Sequence, residues 1–119
     1  MINMKLKAAL IVCLSVLTLG VYANSLSKET ILQQCRDLSS LVASLVTSQE
    51  KRACAEKLAL ASMHIDTAID WIIEDVYHAA RQELDNASYA LQYAELSSCN
   101  RYIQISHSKF EAQRLKNLL

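Results

Sequence analysis

The 119-residue chain contains no proline and one glycine, Gly20. Without glycine there is no low-cost route to positive φ, so tight hairpin turns and β-rich folds are poorly served. The same lack excludes a glycine-rich phosphate loop and a Gly-x-Ser-x-Gly nucleophile elbow. A basic excess is also missing, since 12 Lys and Arg face 12 Asp and Glu. That balance gives no electrostatic footprint for nucleic acid. Neither His-Glu-x-x-His nor Cys-x-x-Cys-His occurs, which removes two metal and haem signatures.

The N-terminus has the three-part layout of a secretory signal peptide. Lys5 and Lys7 precede an apolar run from Ala8 to Leu19, and Gly20 breaks it. Val21 and Ala23 stand three and one before a cleavage point expected after Ala23. The run is too short to span a membrane. Cys13 lies inside it after Val12, the wrong context for a lipidated cysteine. The expected product is one helical domain, residues 24–119, exported to the periplasm or the cell exterior. It keeps ten basic and all twelve acidic residues, a net charge of −2.

Ala, Leu, Glu, Gln, Lys and Arg dominate this product, and all are good helix formers. The fold class expected is all-α, a small antiparallel bundle. Ser27 is the first N-cap candidate, and Ile31, Cys35, Leu38, Val42 and Leu45 form one apolar face. Thr47-Ser48-Gln49-Glu50 reads as a capping box that opens a second helix. Its stripe is Cys54, Leu58, Ala61, Ile65, Ala68, Ile72 and Val76. Unbroken, residues 48–84 would reach ~55 Å at ~1.5 Å per residue. A break is therefore expected between His64 and Thr67, with Asp66 as the new cap. A further boundary is expected at Asp85-Asn86-Ala87-Ser88. The last helix then runs from Ala87 towards Asn117, with Leu91, Leu96, Cys99, Tyr102, Ile103 and Phe110 inward. Four helices result; three, the second unusually long, are the alternative.

Three cysteines remain after cleavage. An oxidising compartment implies one disulfide and one spare thiol. With those boundaries, Cys35 and Cys99 lie at the same height on neighbouring helices, and Cys54 stands about 9 Å higher. The expected staple is Cys35–Cys99, leaving Cys54 as a small buried apolar residue. Cys35–Cys54 would require an earlier first turn.

Residues 63–81, MHIDTAIDWIIEDVYHAAR, hold two histidines and four carboxylates. Asp66, Asp70 and Glu74 repeat every four residues, and His78 continues the line. Carboxylates at that spacing repel by a few tenths of a kcal/mol, a cost that a cation would relieve. The stripe is thus a weak candidate for a divalent metal, with a solvated face as its plainer reading. A dinuclear bundle site would need a second Glu-x-x-His copy, and Asp75-Val76-Tyr77-His78 stands alone. No catalytic constellation emerges, and no cofactor is expected. Asn86-Ala87-Ser88 has the form of a glycosylation sequon, although a capping Asn accounts for it more simply.

Aromatic residues crowd the second half. Trp71, Tyr77, Arg81, Tyr89 and Tyr93 are the types enriched at protein interfaces and form the candidate partner surface. Lys51, Arg52 and Lys57 form a small basic cluster that could meet an anionic lipid headgroup. The function expected is non-enzymatic. It is binding of a macromolecular partner, as in a secreted effector, a toxin-neutralising immunity protein or an envelope chaperone. Cation or small-ligand binding at the acidic stripe and lipid binding at the basic cluster are the alternatives.

Overall fold

The computed structural model describes residues 27–119. The expected signal peptide and its cleavage point lie outside the described residues. Ser27 caps the first helix, α1 (Lys28–Val46), its hydroxyl oxygen accepting from the Thr30 amide at 3.2 Å. Glu29 sits in the first turn, at the positive end of the helix dipole. The expected face of Ile31, Cys35, Leu38, Val42 and Leu45 is buried.

The second helix, α2 (Arg52–Ile73), starts later than a capping box at Thr47 would place it. The side chains of that box close α1 instead. Ser48 Oγ and Gln49 Nε2 both donate to the Leu45 carbonyl, and Thr47 Oγ1 donates to that of Ser44. They satisfy the orphan carbonyls at the helix end, so Lys51 becomes the cap residue of α2.

No break occurs between His64 and Thr67. The helix continues to Ile73, with Glu74 as its C-cap, and Asp75 beyond it takes a left-handed conformation with φ 62°. The Val76 amide donates to the Trp71 carbonyl at 2.9 Å, and the Asp75 amide donates to Ile72 at 3.0 Å. This double bond pattern is a Schellman stop, normally built on glycine. Here an aspartate fills the glycine position.

The third helix, α3 (Tyr77–Leu96), runs straight through the expected boundary at Asp85–Ser88. Asp85 is drawn sideways to Lys116, 2.8 Å away, while Ala87 and Ser88 enter the core. The real boundary is the connection 97–101, where Ser98 and Arg101 are both left-handed. The fourth helix, α4 (Tyr102–Asn117), follows.

Connections as short as 47–51, 74–76 and 97–101 make consecutive helices antiparallel neighbours. The result is an all-α four-helix bundle in which α1–α2, α2–α3 and α3–α4 pack closely and α1–α4 form the thinnest seam. Each inward stripe steps by three and four. On α3 it reads Ala80, Leu84, Ala87, Leu91, Ala94, and on α2 it reads Cys54, Leu58, Ala61, Ile65, Ala68, Ile72. That is a heptad-like seam suited to shallow crossing angles. Large and small residues alternate along it, so alanines admit the branched side chains of the facing helix.

Five residues expected inward are outside, one of them Val76, which precedes α3 and is 39% exposed. Leu96, Tyr102, Ile103 and Phe110 are 74%, 59%, 73% and 59% exposed. The later start of α4 shifts its phase, and Ile105, Ser108, Ala112 and Leu115 face the core.

The staple also differs from the expected Cys35–Cys99. Cys54 is bonded to Cys99, with Cα atoms 5.7 Å apart. The heights of the cysteines decide the pairing, and the observed helix boundaries set Cys54 and not Cys35 level with Cys99. Cys99 lies in the connection between α3 and α4, at the same end of the bundle as the first turn of α2. Cys35 lies mid-helix, fully buried and free. Burial pushes its thiol up to about 11.

A non-reducing peptide map should join the Cys54 and Cys99 peptides, with Cys35 alkylated only after denaturation. The bond closes a separation of 45 residues. Replacing both its cysteines with alanine should cost about 4 kcal/mol in chemical denaturation on the chain-entropy account. Arg101 pays the left-handed penalty with an exposed side chain. Arg101→Gly should therefore raise stability by about 0.5–1 kcal/mol in the same assay.

Candidate functional site

The residues proposed for partner binding fall into separate places. Trp71 closes α2 at the end where α2 turns into α3, half-buried against the core beside Asp70 and Glu74. Tyr77 opens α3 at that same end. Its hydroxyl donates to Asp75 Oδ1 at 2.9 Å, and Lys28 Nζ reaches the same oxygen at 2.9 Å and the Ile73 carbonyl at 3.0 Å. Lys28 and Tyr77 together hold the Asp75 carboxyl below its usual range. Arg81 points toward α4, donating to the Leu119 carbonyl at 2.9 Å. Tyr77 and Arg81 are thus committed to internal ties around the end of the bundle.

Tyr89 and Tyr93 are brought together elsewhere. They stand one turn apart on α3, 69% and 46% exposed. They rim a groove of about 280 Å³ along the α2–α3 seam, lined also by Lys57, Leu60, His64, Asn86 and Ala90. Lys57 Nζ lies 4.7 Å from the centre of the Tyr93 ring, a cation–π contact. The groove wall is fixed by His64 Nδ1, 2.6 Å from Glu83 Oε2 and bridging α2 to α3. Lys57, Leu60 and His64 were not singled out as a set in the sequence. Their three- and four-residue spacing puts them on one flank of α2, but only the pairing with α3 gives that flank a floor.

The acidic stripe does not converge. Asp66 turns toward α1 and accepts from Ser39 Oγ at 2.5 Å, beside Ser62. Asp70 and Glu74 point outward, and His78 lies beyond the Asp75 turn on another helix. Among the described residues, no three His, Cys, Asp or Glu side chains are grouped to hold a metal ion. The basic cluster is likewise dispersed. Lys51 donates to the Ser97 carbonyl, Arg52 pairs with Glu56, and Lys57 is spread over Tyr93.

A second groove, about 240 Å³, follows the thin α1–α4 seam between Asp37, Leu38, Leu41, His107 and Glu111. Arg114 and, more weakly, His107 hold the Glu111 carboxyl below its usual range. Arg114 also reaches across to Gln34.

Of the two ion pairs between α3 and α4, Lys109–Glu95 at 2.8 Å is the better shielded, and Lys116–Asp85 at the same distance is the more open. Lys109, with help from Ser106, holds the Glu95 carboxyl below its usual range. A carboxyl lowered on folding adds stability that is complete above its unfolded value. That stability is lost as pH falls through the folded value. Glu95→Gln should therefore destabilise by about 1–3 kcal/mol near neutrality. Melting curves of the two proteins should converge as pH drops below the ordinary carboxylate value of 4.5.

No protein-family model matches the chain, and no curated protein or solved structure is significantly similar to it.

Proposed function

We propose that this is an exported, non-enzymatic helical protein that acts by binding another protein through the Tyr89–Tyr93 groove. The observation that carries the proposal is a pair of large aromatic side chains held out of a core that is complete without them. Tyrosine supplies broad amphipathic contact area at low entropic cost, which is why it recurs at interface hot spots. The groove is pre-formed. Lys57 braces one ring and the His64–Glu83 bridge fixes the wall. A rigid receptor loses little conformational freedom on binding.

Export is supported by the N-terminal layout of the sequence and by the Cys54–Cys99 bond, which belongs to an oxidising compartment. Among the described residues no helix is long and apolar enough to cross a membrane. The non-enzymatic reading rests on where the reactive groups lie. Cys35 is buried with a raised thiol, Ser108 is buried and bonded to the Gln104 carbonyl, and His64 is committed to Glu83.

Immobilised residues 24–119 should capture a protein from the compartment of export. The double variant Tyr89→Ala/Tyr93→Ala should weaken that capture at least 30-fold, as expected for hot-spot truncations of ~2 kcal/mol or more. Its melting temperature should be unchanged, because both side chains are exposed. Equal capture by a normally folded variant would remove this groove as the binding site.

A further inference from the structure

We infer that the outer face of α4 is a homodimer interface, on which a second copy of this chain packs antiparallel. This surface is distinct from the Tyr89–Tyr93 groove, to which α4 contributes nothing.

Ile103, His107 and Phe110 step by four and three along α4, away from its buried line of Ile105, Ser108, Ala112 and Leu115, with His107 on the flank that also lines the α1–α4 groove. Tyr102 flanks them, and Leu96 closes the neighbouring α3 at the same end of the bundle. The four apolar members other than His107 are between 59% and 74% exposed. At roughly 200 Å² for a large apolar residue, they present on the order of 500 Å². A standard interface needs about 800 Å² from each partner, and about 65% of a homodimer interface is apolar. The patch supplies that share, leaving the remainder to the polar residues around it.

The same pattern makes the face complementary to itself. A two-fold axis near His107 sets Ile103 of one copy against Phe110 of the other, and the reverse contact follows by symmetry. Two stripes with steps of three and four are suited to packing at a shallow angle. Leu96 and Tyr102 of each copy then cover the far half of the other copy's α4.

Charge points to the same occupant. Residues 27–76 carry five basic and eight acidic residues, a net −3, so copies meeting there would repel. Residues 77–119 carry five basic and four acidic residues, a net +1. Most of those charges are neutralised in place by Lys109–Glu95, Lys116–Asp85 and Arg114–Glu111. Two such faces can meet without facing like charges across the contact.

Sedimentation equilibrium of residues 24–119 tests this, over roughly 1 to 500 μM, the range in which a micromolar complex forms. The expected mass rises to twice that of the monomer. The double variant Ile103→Glu/Phe110→Glu should remain monomeric throughout, with an unchanged melting temperature. His107→Cys should yield a disulfide-linked dimer on non-reducing gels, since the two copies of that position meet at the axis. A wild-type chain that stays monomeric overturns the inference, even if these residues bind a different protein. So does a dimer that survives in the folded double variant, or a His107→Cys chain that never cross-links. Loss of dimerisation in the α4 variant leaves the Tyr89–Tyr93 groove intact, so the two readings fail separately.

Discussion

The bundle depends on the clamp that joins its two connections at one end. Cys54–Cys99 is the covalent part. Around it, the Gln49 side-chain amide pairs with the Asn100 backbone, donating to its carbonyl and accepting from its amide, both at 2.8 Å. Asn100 returns a bond to the Ser48 carbonyl at 3.0 Å, and Lys51 caps the Ser97 carbonyl at 3.1 Å. Connections without glycine or proline have no intrinsic reason to hold one shape. The clamp supplies it, and it over-determines the backbone enough for Ser98 and Arg101 to remain left-handed. It also closes the ring of helices. The α1–α4 seam is thin, so α1 and α4 are held in place through partners fastened above them.

The opposite end is tied by polar contacts together with the packing of Trp71, Tyr77 and Leu119 against the core. Lys28 reaches from the first turn of α1 to Asp75 and to the Ile73 carbonyl, and Arg81 holds the Leu119 carbonyl. Asp75 has two roles, filling the glycine position of a helix stop and anchoring Lys28 and Tyr77. Its carboxylate is the acceptor that makes a strained backbone position useful, which glycine could not do.

Helix content and the buried faces of α1 and of α2 as far as Ile72 were legible in the sequence, because apolar spacing of three and four is a strong signal, whereas the count of four came from helix length and rested on a break at His64–Thr67 that the helix does not make. Boundaries were less legible. Capping residue types mark helix ends only when no tertiary partner claims them. Asp85 is claimed by Lys116, Asp66 by Ser39, and Ser88 by the core. Conversely, the true stop at Asp75 carries no glycine to announce it. A fourth helix starting at Ala87 would turn Ile103 and Phe110 inward and set Cys99 at the height of Cys35; its start at Tyr102 does neither. Of the proposed partner surface, the Tyr89–Tyr93 pair was legible from its four-residue spacing on one helix. Its separation from Trp71, Tyr77 and Arg81 was not, because only the antiparallel turn sets how far apart they lie.

The composition of the core explains why so much apolar surface is left outside. Alternate layers are alanine, and among the described residues no aromatic side chain is fully buried. Helices brought close by Ala61, Ala68, Ala80, Ala87, Ala94 and Ala112 leave no room between them for a ring. Phe110, Tyr89, Tyr93 and Tyr102 are therefore displaced to the flanks, and their exposure does not come from a poorly packed interior. Displacement alone would scatter them. Instead Tyr89 and Tyr93 rim one groove, while Tyr102 and Phe110 share the outer face of α4 with Ile103. Nearby charges are paired off within the chain, so these faces stay apolar without becoming strongly charged at their edges. A tight alanine-rich core and two apolar outer faces thus follow from one distribution of residue sizes, with the large side chains left free to contact other molecules.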